Sequence, residues 1–269
     1  MHIPVLLKEV LKVLDPKPGE FFIDGTYGSG GHSEAIRELI APSGRLLAID
    51  WERTGENYAD LPEILRGKNL GKADGLLLDL GFSSEQLEGG RGFSFQKDEP
   101  LVMTYHPSLK PVKELLEDLN EAELADIIYQ YGEERASRKI AKAIKEAGAR
   151  KRIETTGELA SVIESVLPRR GKIHPATKTF MALRIYANHE LENLERILKS
   201  LSQVLKTGGR AAIISFHSVE DRIVKNYFRD SAKAGQLKII TKKPITATSE
   251  EAKENPRSRS AKLRAAILI

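Results

Sequence analysis

Apolar and polar positions alternate along the chain with two different periods. Phe21-Phe22-Ile23-Asp24, Arg45-Leu46-Leu47-Ala48-Ile49-Asp50 and Gly75-Leu76-Leu77-Leu78-Asp79-Leu80 are short, nearly continuous apolar runs that reach an acid. Such runs predict strands covered on both faces, as in a parallel sheet. Between them the spacing lengthens. Ile3, Val5, Leu6, Val10, Leu11 and Leu14 mark a lead-in and an amphipathic helix, and residues 32–40 form a crossover helix ended by Pro42-Ser43-Gly44. Helical periodicity then dominates residues 111–167, in segments 112–119, 121–131, 133–146 and 156–166. A further helix passes through Phe180, Leu183 and Ile185 to Leu205, where Lys206-Thr207-Gly208-Gly209 ends it. Residues 210–216 return to strand, 238–241 and 265–269 read as closing edge strands, and 246–264 as a polar loop. Strands that alternate with helices, then a long helical interruption, predict an α/β fold with an inserted all-helical domain. The expected division is 1–104, 105–190 and 191–269.

One span is short. A doubly wound fold carries a second helix and a third strand after Asp50, yet residues 51–74 hold only Leu61 to Leu65 as an apolar stretch. Either that unit is lacking or residues are missing near Arg53-Thr54-Gly55; the abrupt junction favours missing residues.

Composition narrows the classes. The 269 residues suffice for one sizeable core with an insertion, and 41% hydrophobic with 30% charged residues is ordinary for a soluble protein. No apolar run approaches the ~20 residues of a membrane helix, and no signal-peptide pattern opens the chain, so a cytoplasmic enzyme without membrane partners is expected. Cysteine is absent, which excludes a disulfide framework and transfer through a covalent cysteine adduct. The net charge of +4 is mildly basic, but it is uneven: cations gather in 135–151 and 253–264, acids in 114–126. That unevenness suits a polyanion-binding cleft, and equally solvated helix faces.

Candidate chemistry centres on residues 21–33, F-F-I-D-G-T-Y-G-S-G-G-H-S, which read as strand, glycine turn and a helix start capped at Ser33. Gly28, Gly30 and Gly31 let a backbone approach a ligand, and the helix start offers free N–H groups. Asp50 lies about 20 residues further on, where an acid can accept both ribose hydroxyls. The third glycine of a dinucleotide fingerprint is replaced by Ser33, and no lysine-bearing phosphate loop exists. Asp24 beside the turn favours a cationic ligand over a pyrophosphate. S-adenosylmethionine, with its ammonium and sulfonium, fits; alternatively Asp24 merely caps Thr26 or a neighbouring amide.

Asp79 ends the third apolar run beside this turn. It is the first candidate for chemistry, against a plain role as cap of residues 81–84. An exocyclic amine acceptor needs hydrogen-bond acceptors on its N–H groups and a place for one proton; Asp79 with Ser83 and Ser84 supplies them, and Phe82 a stacking face. His217 in Ser215-Phe216-His217-Ser218 can touch substrate or shuttle a proton, or only bond a carbonyl. His174, His189 and His217 lack metal-ligand spacing, so no metal is expected. Arg257 and Arg259 in a flexible basic segment suit phosphates, and Arg91 with Phe93 suits a splayed base.

Together these stretches resemble the bacterial 16S ribosomal RNA cytosine-N4 methyltransferases, the MraW or small-subunit methyltransferase H family. The resemblance rests on His2-Ile3-Pro4-Val5-Leu6-Leu7, residues 24–33, Asp79-Leu80-Gly81-Phe82-Ser83-Ser84 with Gln86-Leu87, residues 91–95 and Tyr131-Gly132-Glu133-Glu134-Arg135. It extends through His174-Pro175-Ala176-Thr177, residues 215–222 and 255–263. It implies a Rossmann-like S-adenosylmethionine-dependent methyltransferase sheet with a helical insertion that helps bind substrate. The implied reaction is methylation at N4 of one cytidine in the decoding region of 16S RNA, within the small ribosomal subunit. The implied cofactor contacts are Gly30, Gly31, His32, Asp50, Asp79 and Gln86, with Tyr58 against the adenine. A homodimer is one option for assembly. Where the family usually has Asp-Met-Arg-Met after Pro100-Leu101, this chain has Val102-Met103-Thr104-Tyr105. The alternatives are a methyltransferase for DNA or a protein side chain, a dehydrogenase, and an RNA-binding assembly factor with a vestigial cofactor pocket.

Overall fold

A computed structural model describes residues 3–81, 86, 87, 89–168 and 174–269. The chain divides into two compact units, Met1–Phe82 with Leu191–Ile269, and Ser83–Glu190.

In the first unit, β1 (Phe21–Asp24), β2 (Arg45–Ala48), β3 (Ala73–Asp79), β4 (Leu205–Ser215), β5 (Leu237–Ile239) and β6 (Lys262–Leu268) form one sheet, ordered β2-β1-β3-β4-β6-β5. The first four in that order run parallel; β6 is antiparallel to both its neighbours. Side chains leave a strand on alternate faces, and both faces here are apolar. Ile23, Leu76, Leu78, Ala211, Ile213 and Ala266 share one core with Leu61, Leu194, Ile197, Val224 and Phe228. Phe22, Leu77, Ala212, Ile214, Leu263 and Ala265 share the other with Val10, Leu14, Ile36 and Ile40. Helices α1 (Leu7–Leu14) and α2 (Gly31–Ile40) thus cover one face. The opposite face packs α4 (Leu61–Gly67), α10 (Glu190–Lys199, from Leu194 on), α11 (Leu201–Val204) and α12 (Ser218–Lys233). Continuous apolar strands are what a doubly covered sheet requires.

After β2 the chain makes the short helix α3 (Trp51–Thr54), closed by Gly55 at φ 72°, before α4. The second crossover helix is therefore present, but among the described residues no strand lies outside β2, which is the sheet edge. β6 is not an edge: it lies between β4 and β5, since Leu263, Ala265 and Ala266 are buried on both faces. The expected loop at 246–264 instead holds helix α13 (Ser249–Glu254) and a 3-10 turn, Pro256–Ser260.

The second unit packs α5 (Val112–Asp118), α6 (Glu121–Gly132), α7 (Ser137–Arg150), α8 (Thr156–Val166) and α9 (Thr177–Ala187) around one apolar core. Asn120 and Thr155 each close a capping box, with Glu123 and Glu158, which fixes the starts of α6 and α8. Glu133, at φ 49°, ends α6, so the following helix begins at Ser137 rather than 133. The unit begins at Ser83, not at 105, because Leu101 and Met103 are buried in its core and Pro100 pairs with Thr155. The departure at 102–105 is a brace: Met103 N–H donates to Arg91 O, Asn188 Nδ2 to Met103 O, and the Tyr105 hydroxyl to Glu190. No helix among the described residues is long and apolar enough to cross a membrane.

Candidate active site

Parallel register sets the geometry. Ala48, Asp24 and Leu77 lie side by side on β2, β1 and β3. Asp50 and Asp79 each lie two residues farther along, one on either side of β1. In open α/β sheets ligands bind beyond these carboxyl ends.

Hydrogen bonds tie the three tips together. Asp50 Oδ2 accepts from Gly28 N–H at 3.0 Å, while its Oδ1 accepts from Glu52 and Arg53 N–H and so caps α3. Thr26 N–H donates to Asp24 Oδ1 at 3.1 Å, and Thr26 Oγ1 accepts from Asp79 N–H at 2.6 Å. Gly28 and Gly30 take positive φ, 50° and 82°, which glycine adopts without strain. A Cβ on Gly30 would lie 2.7 Å from Tyr27 Oη, and one on Gly31 2.4 Å from Pro4 Cγ. The glycines are thus required by the chain's own packing, with Tyr27 across the turn and Pro4 behind it.

Asp24 departs from its expected role. It is 1% exposed, and its Oδ2 accepts from Ser33 Oγ at 2.7 Å. Burial raises its proton affinity, and the Ser33 and Thr26 bonds oppose the rise. Buried, with each oxygen bonded to Thr26 or Ser33, it fastens the turn. Ser33 is correspondingly not a helix cap: α2 starts at Gly31 after Gly30, without a side-chain cap.

Asp79 is the open acid. Its side chain is 21% exposed, yet Oδ1 is covered and has no hydrogen-bond partner among the described residues. Its Oδ2 lies 3.8 Å from His32 Nδ1. His32 Nε2 is 2.9 Å from Val5 O; a carbonyl only accepts, so Nε2 donates to it and the ring's Nδ1 is turned toward Asp79. Burial pushes the Asp79 carboxyl above the ordinary carboxylate range. His32 and Arg257 pull it back, Asp24 adds to the rise, and the Gly81 N–H lowers it. Arg257 is half-buried, and desolvation lowers its proton affinity against the opposing pull of Asp79.

Arg257 reaches this neighbourhood because the chain's ends are clasped: Leu6 N–H donates to Glu251, and Asn255 Nδ2 to Ile3 O. The sequence points Arg257 toward phosphate; in the structure its charge also acts on Asp79. Arg259 is exposed, and its Nε donates to Ala252 O.

Other candidates take plainer roles. His217 is the N-cap of α12: its Nδ1 accepts from Glu220 N–H at 3.4 Å, and its Nε2 is 3.1 Å from Glu220 Oε1. That Nε2 is buried and makes no hydrogen bond among the described residues. Tyr58 packs against Gly25, where a Cβ would lie 3.0 Å from its own. In the second unit Phe93 is 7% exposed, stacked on Tyr105 at 5.4 Å and covered by Arg91 at 5.2 Å. A buried ring so engaged does not stack on a splayed base, and Arg91 also donates to Thr104 O. Gln86 lies in the second unit; Ser83 and Ser84 fall outside the described residues.

A family model described as the MraW methylase family matches residues 1–55 and 52–268. The ribosomal RNA small subunit methyltransferase H of Trichlorobacter lovleyi is 44% identical over 304 positions, covering 98% of this chain and 97% of that protein. The protein of the same name from Coprothermobacter proteolyticus is 44% identical over 283 positions, covering 98% and 94%. That from Ehrlichia chaffeensis is 42% identical over 299 positions and covers both chains completely. These alignments exceed the 269 residues of the chain, so the relatives carry residues that it lacks. The two matched segments overlap at residues 52–55, just after β2, outside which no strand lies among the described residues.

Proposed function

The chain belongs to the MraW methylase family, and we propose that the tips of β1, β2 and β3 bind S-adenosylmethionine for methylation of 16S ribosomal RNA at cytosine N4. The observation that carries the site is the part-exposed Asp79 carboxylate beside the glycine turn, one of whose oxygens has no hydrogen-bond partner among the described residues. The donor set suits this cofactor. Each carboxylate oxygen has two lone pairs, so Asp50 Oδ2 keeps one beyond the Gly28 bond for a ribose hydroxyl. Asp79 offers negative charge to a cationic ligand, and Gly28 leaves open space at the turn.

S-adenosylmethionine supplies an electrophilic methyl group on sulfonium. The chain's own residues manage the amine. The N4 lone pair of cytosine is delocalised into the ring, so an acceptor on its N–H raises its reactivity. The part-exposed Asp79 carboxylate accepts that hydrogen bond and takes the proton as the N–C bond forms and the methyl–sulfur bond breaks. His32 Nδ1 then faces the protonated carboxyl, held in that orientation by the Val5 carbonyl. Such proton transfer contributes about 10²- to 10⁴-fold. The base must leave its stack to reach the acid, so an extruded cytidine is the form recognised.

The test is methyl transfer to small ribosomal subunits, with N4-methylcytidine identified by mass spectrometry after nuclease digestion. Wild-type protein yields the product, and Asp79→Asn lowers kcat about 10²- to 10⁴-fold. Absence of N4-methylcytidine with wild-type protein overturns the reaction; an undiminished variant removes Asp79 from it.

A further inference from the structure

Helix α7 breaks a rule that its neighbours keep. α6 and α8 begin with capping boxes and acids in the first turn. α7 begins after Ala136 with no side-chain cap and no acid in its first turn, and carries Arg138 and Lys139 there instead. Cations at a helix N-terminus oppose the macrodipole by about 0.3–1 kcal/mol each. Folding therefore gives no reason for this choice.

The cations form one stripe. At 100° per residue, Arg138, Lys139, Lys142 and Arg150 fall within about 120° of arc, and the helix carries them over roughly 18 Å. All four are exposed, as is Arg135 just before the helix. The opposite face, Ser137, Ile140, Ala141 and Ile144, is buried in the core of the second unit. Glu146 is the helix's one acid, and it lies 3.8 Å from Lys142. Among the described residues Arg135, Arg138, Lys139 and Arg150 have no acidic partner. Glu146 lies on the same face and is matched by Lys142, so the excess positive charge is that of Arg135, Arg138, Lys139 and Arg150; such an excess on a rigid helix complements a polyanion.

We infer that the exposed face of α7 is a docking track for the phosphate backbone of the RNA substrate. This rests on the RNA methyltransferase reading above. The track positions the RNA without reading its sequence, as phosphate contacts do. The arginines suit bidentate phosphate contact, and Lys139 and Lys142 add point charge.

The experiment compares wild-type protein with the triple variant R138Q/K139Q/K142Q. Affinity for a 16S RNA transcript is measured by fluorescence titration at several salt concentrations, and methyl transfer to small subunits is measured alongside. Each lost phosphate contact lowers the slope of log K against log salt by about 0.7–0.9, so a drop of about 2 is expected. KM for RNA rises and kcat at saturating RNA is kept. Urea unfolding checks the fold, and the variant should be no less stable, since two cations leave the helix start. An unchanged salt slope and KM overturn the track while leaving the methyltransferase reading intact. Wild-type protein without salt-dependent RNA affinity overturns both.

Discussion

Ser33→Ala tests the role of Asp24 directly. Ser33 is fully buried, and its hydroxyl donates to Asp24 Oδ2 at 2.7 Å. The substitution opens almost no cavity, but leaves a buried carboxylate oxygen without its donor. Hydrogen bonds to charged groups are worth about 1.5–3 kcal/mol, so a loss of about 2 kcal/mol is expected at pH 7.5. The pH dependence has a definite sign. Burial already raises Asp24 above the ordinary carboxylate range. A carboxyl raised in the folded state contributes most at low pH, below its unfolded value, and that contribution is lost as pH rises through the folded value. Removing the donor raises it further, so the penalty is full at pH 7.5 and shrinks on acidification. Urea titrations of wild type and variant at pH 7.5 and pH 5 measure it. A loss below about 0.5 kcal/mol at pH 7.5 refutes the fastening role. If Asp24 held the cofactor itself, the variant would lose S-adenosylmethionine affinity in calorimetry with its unfolding unchanged.

Arg257→Gln removes a positive charge that, with His32, holds down the Asp79 carboxyl against the rise from desolvation and Asp24. Methyl transfer that needs ionised Asp79 should lose activity at a higher pH in this variant, with the high-pH plateau kept; an unmoved acid limb breaks the pairing. Lys145→Met keeps the stem but deletes an ammonium that donates to the carbonyls of Leu116, Glu117 and Leu119 at 2.7–3.2 Å. Urea unfolding should show a loss of about 1–2 kcal/mol, and a variant as stable as wild type would show those carbonyls content with water.

Local patterning decided much of this protein. The apolar runs ending at Asp24 and Asp79 are β1 and β3, and the periodic segments from 112 to 187 are helices, because burial on both faces or on one stripe leaves a readable period. The family is legible too, since its motifs run nearly end to end. What the sequence leaves undetermined is which acid faces inward. Asp24, Asp50 and Asp79 look alike at three strand tips, yet one is internally bonded, one caps a helix while bracing the glycine turn, and one has an oxygen without a partner among the described residues. That division depends on Ser33, nine residues on across the glycine turn, on Val5 orienting His32, and on Arg257, over 170 positions from Asp79 in the chain. Hydrogen-bond partners and desolvation are set by which distant segments meet, and no local period encodes that. For the same reason Phe93 reads as a stacking platform until Tyr105 and Arg91 are found covering it, and β6 as an edge until β5 pairs with its far side.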